Sequence, residues 1–270
     1  MRRVAKHIGV QASTVSRWMK RSTQAEARII PTRSSAAIGR PTALAEAIVE
    51  RIVQIRKQTK RCAQVVHAQL LRENIKVSLS SVERTLRRKG LVKTRSKWKK
   101  YHLSGMRPMP EKPGILVETD TINVYLNERK RIYIFTLIDC CSRWAYARAS
   151  QKLSARLAQE FILAAQRKAS FRFQCVQSDH GSEFSHYFTK LVQTLGTRHR
   201  HCRVRKPNDN AHVERFNRTI QEDLQKEIYQ YKTNLPLLNR KIERYLDYYN
   251  NQRLHMGIKF QTPAEVLQRS

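Results

Sequence analysis

Three carboxylates in this chain have the spacing and the settings to do chemistry together. Asp120 falls in Val117-Glu118-Thr119-Asp120-Thr121, which alternates as a strand does. Asp179 follows Phe171–Ser178, a second strand-like run, and Gly181 turns the chain two residues later. Glu214 comes after 34 intervening residues, about one turn into a helix that opens behind Pro207-Asn208-Asp209-Asn210. A carboxylate at the C-terminal edge of a strand points into the crevice where open α/β sheets bind ligands. Two anions within a few Å of each other repel unless one is protonated or a cation lies between them. An all-oxygen donor set suits a hard cation, Mg²⁺ or Mn²⁺, rather than zinc. Two such ions about 4 Å apart activate an attacking oxygen and stabilise a leaving one, which is the chemistry of phosphodiesters.

The rest of the composition agrees with a polyanionic substrate. Lys and Arg number 53 against 21 Asp and Glu, for a formal net charge of +32 in 270 residues. Such a field exceeds what solubility requires and attracts nucleic acid through phosphate contacts. A basic membrane-surface or ribosomal protein is the plainer alternative. A hydrophobic content of 40%, arranged in periodic runs, argues against a disordered basic tail. Residues 1–110 hold no aspartate and only Glu26, Glu46, Glu50, Glu73 and Glu83, so the first part reads as a nucleic-acid binder and the second as the seat of chemistry. The cysteines, Cys62, Cys140, Cys141, Cys175 and Cys202, show no zinc spacing and read as reduced thiols in a cytosolic protein. No apolar run approaches the ~18 residues of a membrane span, and the N-terminus lacks a signal-peptide core.

The elements that would position the carboxylates follow from periodicity. Residues 1–21 have the shape of a helix-turn-helix. Val4, Ala5 and Ile8 form an apolar stripe, Gly9 makes the turn, Ser13 caps the second helix, and Val15 and Trp18 face inward. Ser13, Thr14 and Arg17 would then face DNA. The chain begins too late for the helix that normally precedes such a unit, which points to truncation at the N-terminus or to marginal stability. Residues 22–41 form a linker. Residues 42–90 read as three helices, ending in a second helix-turn-helix over Ala63–Glu73 and Ser78–Lys89, with Ser81, Arg84 and Arg88 toward DNA and Gly90 as the stop. Either pair could instead be a helical hairpin with a solvated basic face. Residues 91–113 are a basic linker closed by Pro108, Pro110 and Pro113.

From 114 to 270 the order is βββαβαβα followed by further helices: a mixed five-stranded sheet with helices on both faces. The strands are Ile115–Tyr125, Arg131–Asp139, Arg143–Ala149, Phe171–Ser178 and Thr197–Val204. The helices are Leu153–Ala169, Phe184–Leu195, Ala211–Tyr229 and Leu235–Asn250. Short links favour antiparallel pairing of the first three strands, and a preceding helix favours a parallel fourth. Thr262-Pro263-Ala264-Glu265 is a capping box. Near the trio, Asp139, His180 and Asn210 read as supporting residues and Asp209 as the cap of the Glu214 helix. Glu118 reads as a partner for a nearby Lys or Arg, and Glu183 as a cap or a solvent-facing side chain. Lys206, Arg215 and Arg218 are placed to meet phosphate.

Thr119-Asp120-Thr121, Ile138-Asp139-Cys140-Cys141-Ser142-Arg143, Ser178-Asp179-His180-Gly181-Ser182-Glu183-Phe184 and Asn210-Ala211-His212-Val213-Glu214-Arg215-Phe216-Asn217 together resemble the catalytic core of DDE transposases and retroviral-type integrases. Tyr249-Asn250-Asn251-Gln252-Arg253-Leu254-His255 and the capping box resemble the ending of bacterial insertion-sequence members, with Leu254 where a proline is common. The resemblance covers about 114–268. It implies an RNase H-like α/β fold behind an all-α helix-turn-helix region. It gives Asp120, Asp179 and Glu214 the catalytic and metal-ligand roles, with two Mg²⁺ or Mn²⁺ ions per site. The expected function is a DNA transposase that hydrolyses a phosphodiester at element ends and transfers the 3′-OH into target DNA. Its partners would be double-stranded DNA and further copies of itself, without a membrane, in the cytoplasm of a bacterium and on the nucleoid when bound. A catalytically inactive DNA-binding remnant or repressor is the alternative, and a nuclease that cuts without joining is a third.

Overall fold

A computed structural model describes residues 1–24, 44–92, 110–127, 130–203 and 207–269. Two compact units result, Met1–Ala47 and Ile48–Ser270. The first holds α1 (Arg2–Ile8) and α2 (Ala12–Gln24). Gly9 takes φ 71° between them, a left-handed conformation that glycine adopts without strain. The helices bury Ala5 and Val15, but Val4 and Ile8 are exposed and Trp18 is 37% exposed, so the expected inward stripe is shorter than its sequence. Ser13 is not the cap. The first helical N–H bonds run to the carbonyl of Gln11, which leaves Ser13 inside α2.

In the second unit α3 (Glu46–Thr59), α4 (Ala63–Arg72) and α5 (Leu79–Arg88) bury Val49, Ile52, Ile55, Val66, Leu70, Val82 and Leu86. Ser78 caps α5 by accepting from Ser81 N. These helices are tied to the end of the chain. Arg61 donates to Asp223 at 2.6 Å, and Arg72 donates to Glu265 at 2.8 Å and to the Phe260 carbonyl at 3.2 Å.

The sheet contains β1 (Val117–Tyr125), β2 (Arg131–Asp139), β3 (Ala145–Ser150), β4 (Cys175–Ser178) and β5 (Arg198–His201), in the order β3-β2-β1-β4-β5. β1 and β2 pair antiparallel, as do β2 and β3; β4 is parallel to both β1 and β5. Alternation along β2 sends Ile134 to one face and Phe135 to the other, so each face builds its own core. On one face Ile122, Ile134, Val213, Phe216, Ile220, Leu238 and Ile242 pack with α8 (Ala211–Asp223), α9 (Gln225–Tyr231) and α10 (Leu235–Asn251). On the other, Val117, Phe135, Leu137, Phe161, Phe184 and Phe188 pack with α6 (Ala155–Lys168) and α7 (His186–Gln193). α11 (Pro263–Leu267) opens on the expected capping box, with both reciprocal bonds formed.

Several elements differ from their expected spans, β5 covering only Arg198–His201 and α7 only His186–Gln193, and two of the departures have a visible cause. The strand read from Phe171 begins only at Cys175. Gln166 on α6 takes the Phe173 N–H at 2.8 Å and donates to the Phe171 carbonyl at 2.7 Å, so a side chain replaces the ladder there. The helix read as Ala211–Tyr229 breaks at Leu224, where Asp223 is held by Arg61 and by the Tyr245 hydroxyl at 2.9 Å while Leu224 turns into the core.

Candidate active site

The register of the sheet brings the first two carboxylates together. β1 lies at the centre with β4 beside it, and Glu118 pairs with Gln177. Two residues farther along each parallel strand stand Asp120 and Asp179, at one level of the same crevice. The third comes from α8, which lies across β1 and β2 with Val213 and Phe216 fully buried beneath it. Glu214, between them in sequence, is left on the exposed side.

Glu118 sets the start of that helix. Its Oε2 accepts from the backbone N–H of both His212 and Val213 at 2.9 Å, the first turn of α8. Helix N–H groups at this end lack partners within the helix, and a carboxylate also suits the positive end of the helix dipole. The Cys140 thiol donates to Oε1 at 3.4 Å. Glu118 is therefore a buried clasp, held mainly by backbone N–H groups, with the charge of Arg143 acting on it more weakly than expected for a partner read from sequence. Burial raises its pKa, against the pull of the Val213 N–H. Glu118, Cys140 and His212 each bring one potential ligand atom within 4.8 Å of the others. Both carboxylate oxygens already accept hydrogen bonds, which accounts for the group as a clasp. Asp209 does not cap α8 either. It forms a two-pronged pair with Arg203, both bonds 2.9 Å, and Asn210 occupies the N-cap position without a side-chain cap bond.

Around Asp120 the oxygens are oriented. Oδ1 accepts from Thr121 N at 2.7 Å and Oδ2 from Asn217 Nδ2 at 2.7 Å. Asn217 is itself held by the Thr136 hydroxyl at 2.7 Å, from the neighbouring strand. Burial pushes the Asp120 pKa up to about 7; the Thr121 N–H opposes this, and the charges of Asp179, Glu183 and Glu214 add to it. Three other carboxylates thus act on Asp120, and one of them, Glu183, was read from sequence as a cap or a solvent-facing group. It is only 7% exposed, turned inward by the 3-10 turn Ser182–Phe184 under the buried Phe184. Its spacing of four from Asp179 was the signal available in the sequence.

Asp179 is steadied from its own loop. Gly181 N donates to its Oδ1 at 2.9 Å, and His201 Nδ1 meets its carbonyl at 2.8 Å. His180 stacks on His201 with ring centroids 4.8 Å apart and bonds the Cys202 carbonyl at 3.0 Å. Burial lowers the His199 pKa to about 4, and the ring bonds Thr189 and Ser178. Asp139 is engaged by hydrogen bonds of its own. It is fully buried, and accepts from Gly114 N at 2.8 Å, Ser142 N at 2.6 Å and Ser142 Oγ at 2.7 Å, which shapes the β2–β3 turn.

The candidate DNA-contact residues fall in three places. Arg215 and Arg218 lie exposed on α8 beside Glu214. Arg84 and Arg88 are exposed on α5, with Ser81 half-buried at its start. Ser13, Thr14 and Arg17 lie on α2, in the other unit. No hydrogen bond or ion pair among the described residues joins these side chains to the carboxylates. Lys206 and most of the basic linker lie outside the described residues.

The sheet order, the helices on both faces and the acidic residues at the middle of β1 and just past the end of β4 define an RNase H-like core. Residues 110–207 and 195–263 each match an integrase core domain family, and together these matches span more than half of the 270 residues, so the chain belongs to the integrase core domain family. Its fold is similar to that of a chain in the intasome of simian T-cell lymphotropic virus, with a TM-score of 0.52 over 80% of this chain and 74% of that one, at 15% identity. In sequence it is similar to a putative integrase of Spiroplasma virus SpV1-C74, 27% identical over 51% of this chain and 42% of that protein. It is also similar to the Pol polyprotein of feline endogenous virus ECE1, 32% identical over 45% of this chain. The chain thus spans less than half the length of the curated relatives it matches, 42% and 12% respectively.

Proposed function

We propose that the chain is a DNA transposase of the insertion-sequence type, cutting at element ends and joining the freed 3′-OH to target DNA. The observation that carries this is the convergence of Asp120, Asp179 and Glu214 from β1, the end of β4 and α8 in a chain of net charge +32. The donor set is all oxygen, and its mutual repulsion is what a divalent cation would relieve. Asp120, Asp179 and Glu214 would hold Mg²⁺ or Mn²⁺, two ions per site. When bound, the ions would supply the charge that activates the attacking oxygen and stabilises the leaving one.

The chain's own residues orient this set. Asn217 and the Thr121 N–H aim the Asp120 oxygens, Gly181 N fixes Asp179, and Glu118 fixes the turn of α8 that carries Glu214. Arg215 and Arg218 bind phosphates of the strand that reaches the carboxylates. In the first reaction a water oxygen displaces the 3′ oxygen at phosphorus and frees a 3′-OH. In the second, that hydroxyl displaces a 3′ oxygen in target DNA. No side chain is needed as nucleophile.

The helix-turn-helix elements would hold the element ends, through Ser81, Arg84 and Arg88 on α5 and Ser13, Thr14 and Arg17 on α2. Joining two ends calls for more than one copy on DNA. Among the described residues no helix is long and apolar enough to cross a membrane. We place the protein in the cytoplasm, on the nucleoid when bound to DNA.

Incubation with Mg²⁺ and labelled duplexes taken from the DNA flanking the gene separates the possibilities: joined products for a transposase, cut products alone for a nuclease, binding alone for a repressor-like remnant. Asp179→Asn, Asp120→Asn and Glu214→Gln should each abolish cutting and joining while DNA binding stays nearly unchanged. Normal joining by the Asp179→Asn protein would sink the mechanism.

A further inference from the structure

The loop after β4 carries a second acid that this mechanism does not use. Glu183 is 93% removed from solvent, yet among the described residues it accepts no hydrogen bond and forms no ion pair. Carboxylates gathered this closely repel one another unless a proton or a cation lies between them. Its position tells where that charge belongs. The place a Cβ would take at Gly181 is 2.6 Å from Glu183 Oε2 and 3.1 Å from Asp179 Oδ1. The two carboxylates therefore lie against the same bare face of the glycine, and Glu183 joins Asp179 and Glu214 in acting on Asp120. The side-chain charges that act most on Asp120 are negative, so a cation among these carboxylates would offset their repulsion.

We propose that Glu183 is a fourth carboxylate ligand of the cation site formed by Asp120, Asp179 and Glu214. The assignment rests on reading that trio as a divalent-cation site, and it adds a ligand to it. The two carboxylates of the loop share the ion load: Asp179 is held by Gly181 N, while Glu183 is oriented by the 3-10 turn and the packing of Phe184. Gly181 has room for no side chain between them, although its φ of −58° is one that alanine adopts freely.

The test uses the full chain and Mn²⁺ alone as probe, followed by thermal unfolding and by electron paramagnetic resonance of free Mn²⁺. Wild type should gain thermal stability with Mn²⁺, and Asp179→Asn should lose most of that gain. Glu183→Gln keeps the shape and removes the charge. It should unfold at a higher temperature than wild type without cation, gain less from Mn²⁺, and bind Mn²⁺ roughly tenfold or more weakly. Gly181→Ala, which pushes the flexible Glu183 end aside, should weaken Mn²⁺ binding in the same direction.

A purely structural Glu183 would behave differently. If Glu183→Gln lowered stability equally with and without Mn²⁺, or left Mn²⁺ affinity at the wild-type value, the assignment would be wrong while the trio stood. If wild type showed no response to Mn²⁺, the reading of the trio as a cation site would fail first, and the fourth ligand with it.

Discussion

Asp120 stands where burial and charge act in the same direction, against its ionisation. Its pKa of about 7 lies well above the ~3.9 of an unfolded aspartate. A group whose folded pKa is raised contributes stability that is fully present below the unfolded value and is lost as pH rises through the folded one. The metal-free chain should therefore lose stability between about pH 4 and pH 7 relative to Asp120→Asn, by an amount on the order of a few kcal/mol at the upper end. Urea unfolding of both proteins across that range, in a chelator, measures the difference. A difference that stays flat with pH would mean that Asp120 is not under this pressure. At this scale the trio was legible in the sequence, because three acids stood out at family spacing in a basic chain. Glu183 left only its spacing of four from Asp179 as a hint, since its inward turn depends on a 3-10 segment and on the burial of Phe184, neither of which leaves a periodic signature.

At the scale of elements, the strands and helices that carry the site follow from alternation and spacing. β2 occupies its expected span from Arg131 to Asp139, because its apolar alternation and short flanking links leave little freedom. β4 is shorter than its apolar content implies, since Gln166 satisfies the backbone of Phe171 and Phe173 from a helix. Such a substitution of a side chain for a strand depends on tertiary approach and is invisible in the local sequence. The same holds for Glu118, whose partners lie at His212 and Val213 in α8. Its removal gives a test at this scale. Glu118→Ala leaves two N–H groups of α8 without their acceptor and should cost about 2–3 kcal/mol, with faster amide exchange in the first turn of α8. Glu118→Gln, which keeps an acceptor, should recover much of that loss. Unchanged stability in Glu118→Ala would show that α8 is set by its apolar face alone.

At the scale of the molecule, α3–α5 and the sheet fall within one compact unit, and among the described residues ion pairs of Arg61 with Asp223 and of Arg72 with Glu265 tie the helical region to α8 and α11. Asp223 closes α8, the helix that starts at the clasp and presents Glu214. An α5 that reads base pairs would then be coupled through α4 and these pairs to the carboxylates. Under the proposed function this coupling would act as a ruler, making the distance from the read sequence to the cut bond a property of the protein. Asp223→Ala with Glu265→Ala should leave the chain able to cut and scatter the cut over neighbouring phosphates, which sequencing of the product ends would measure. Cuts that stay at a single phosphate would place the ruler elsewhere, in the DNA or in a second copy of the chain.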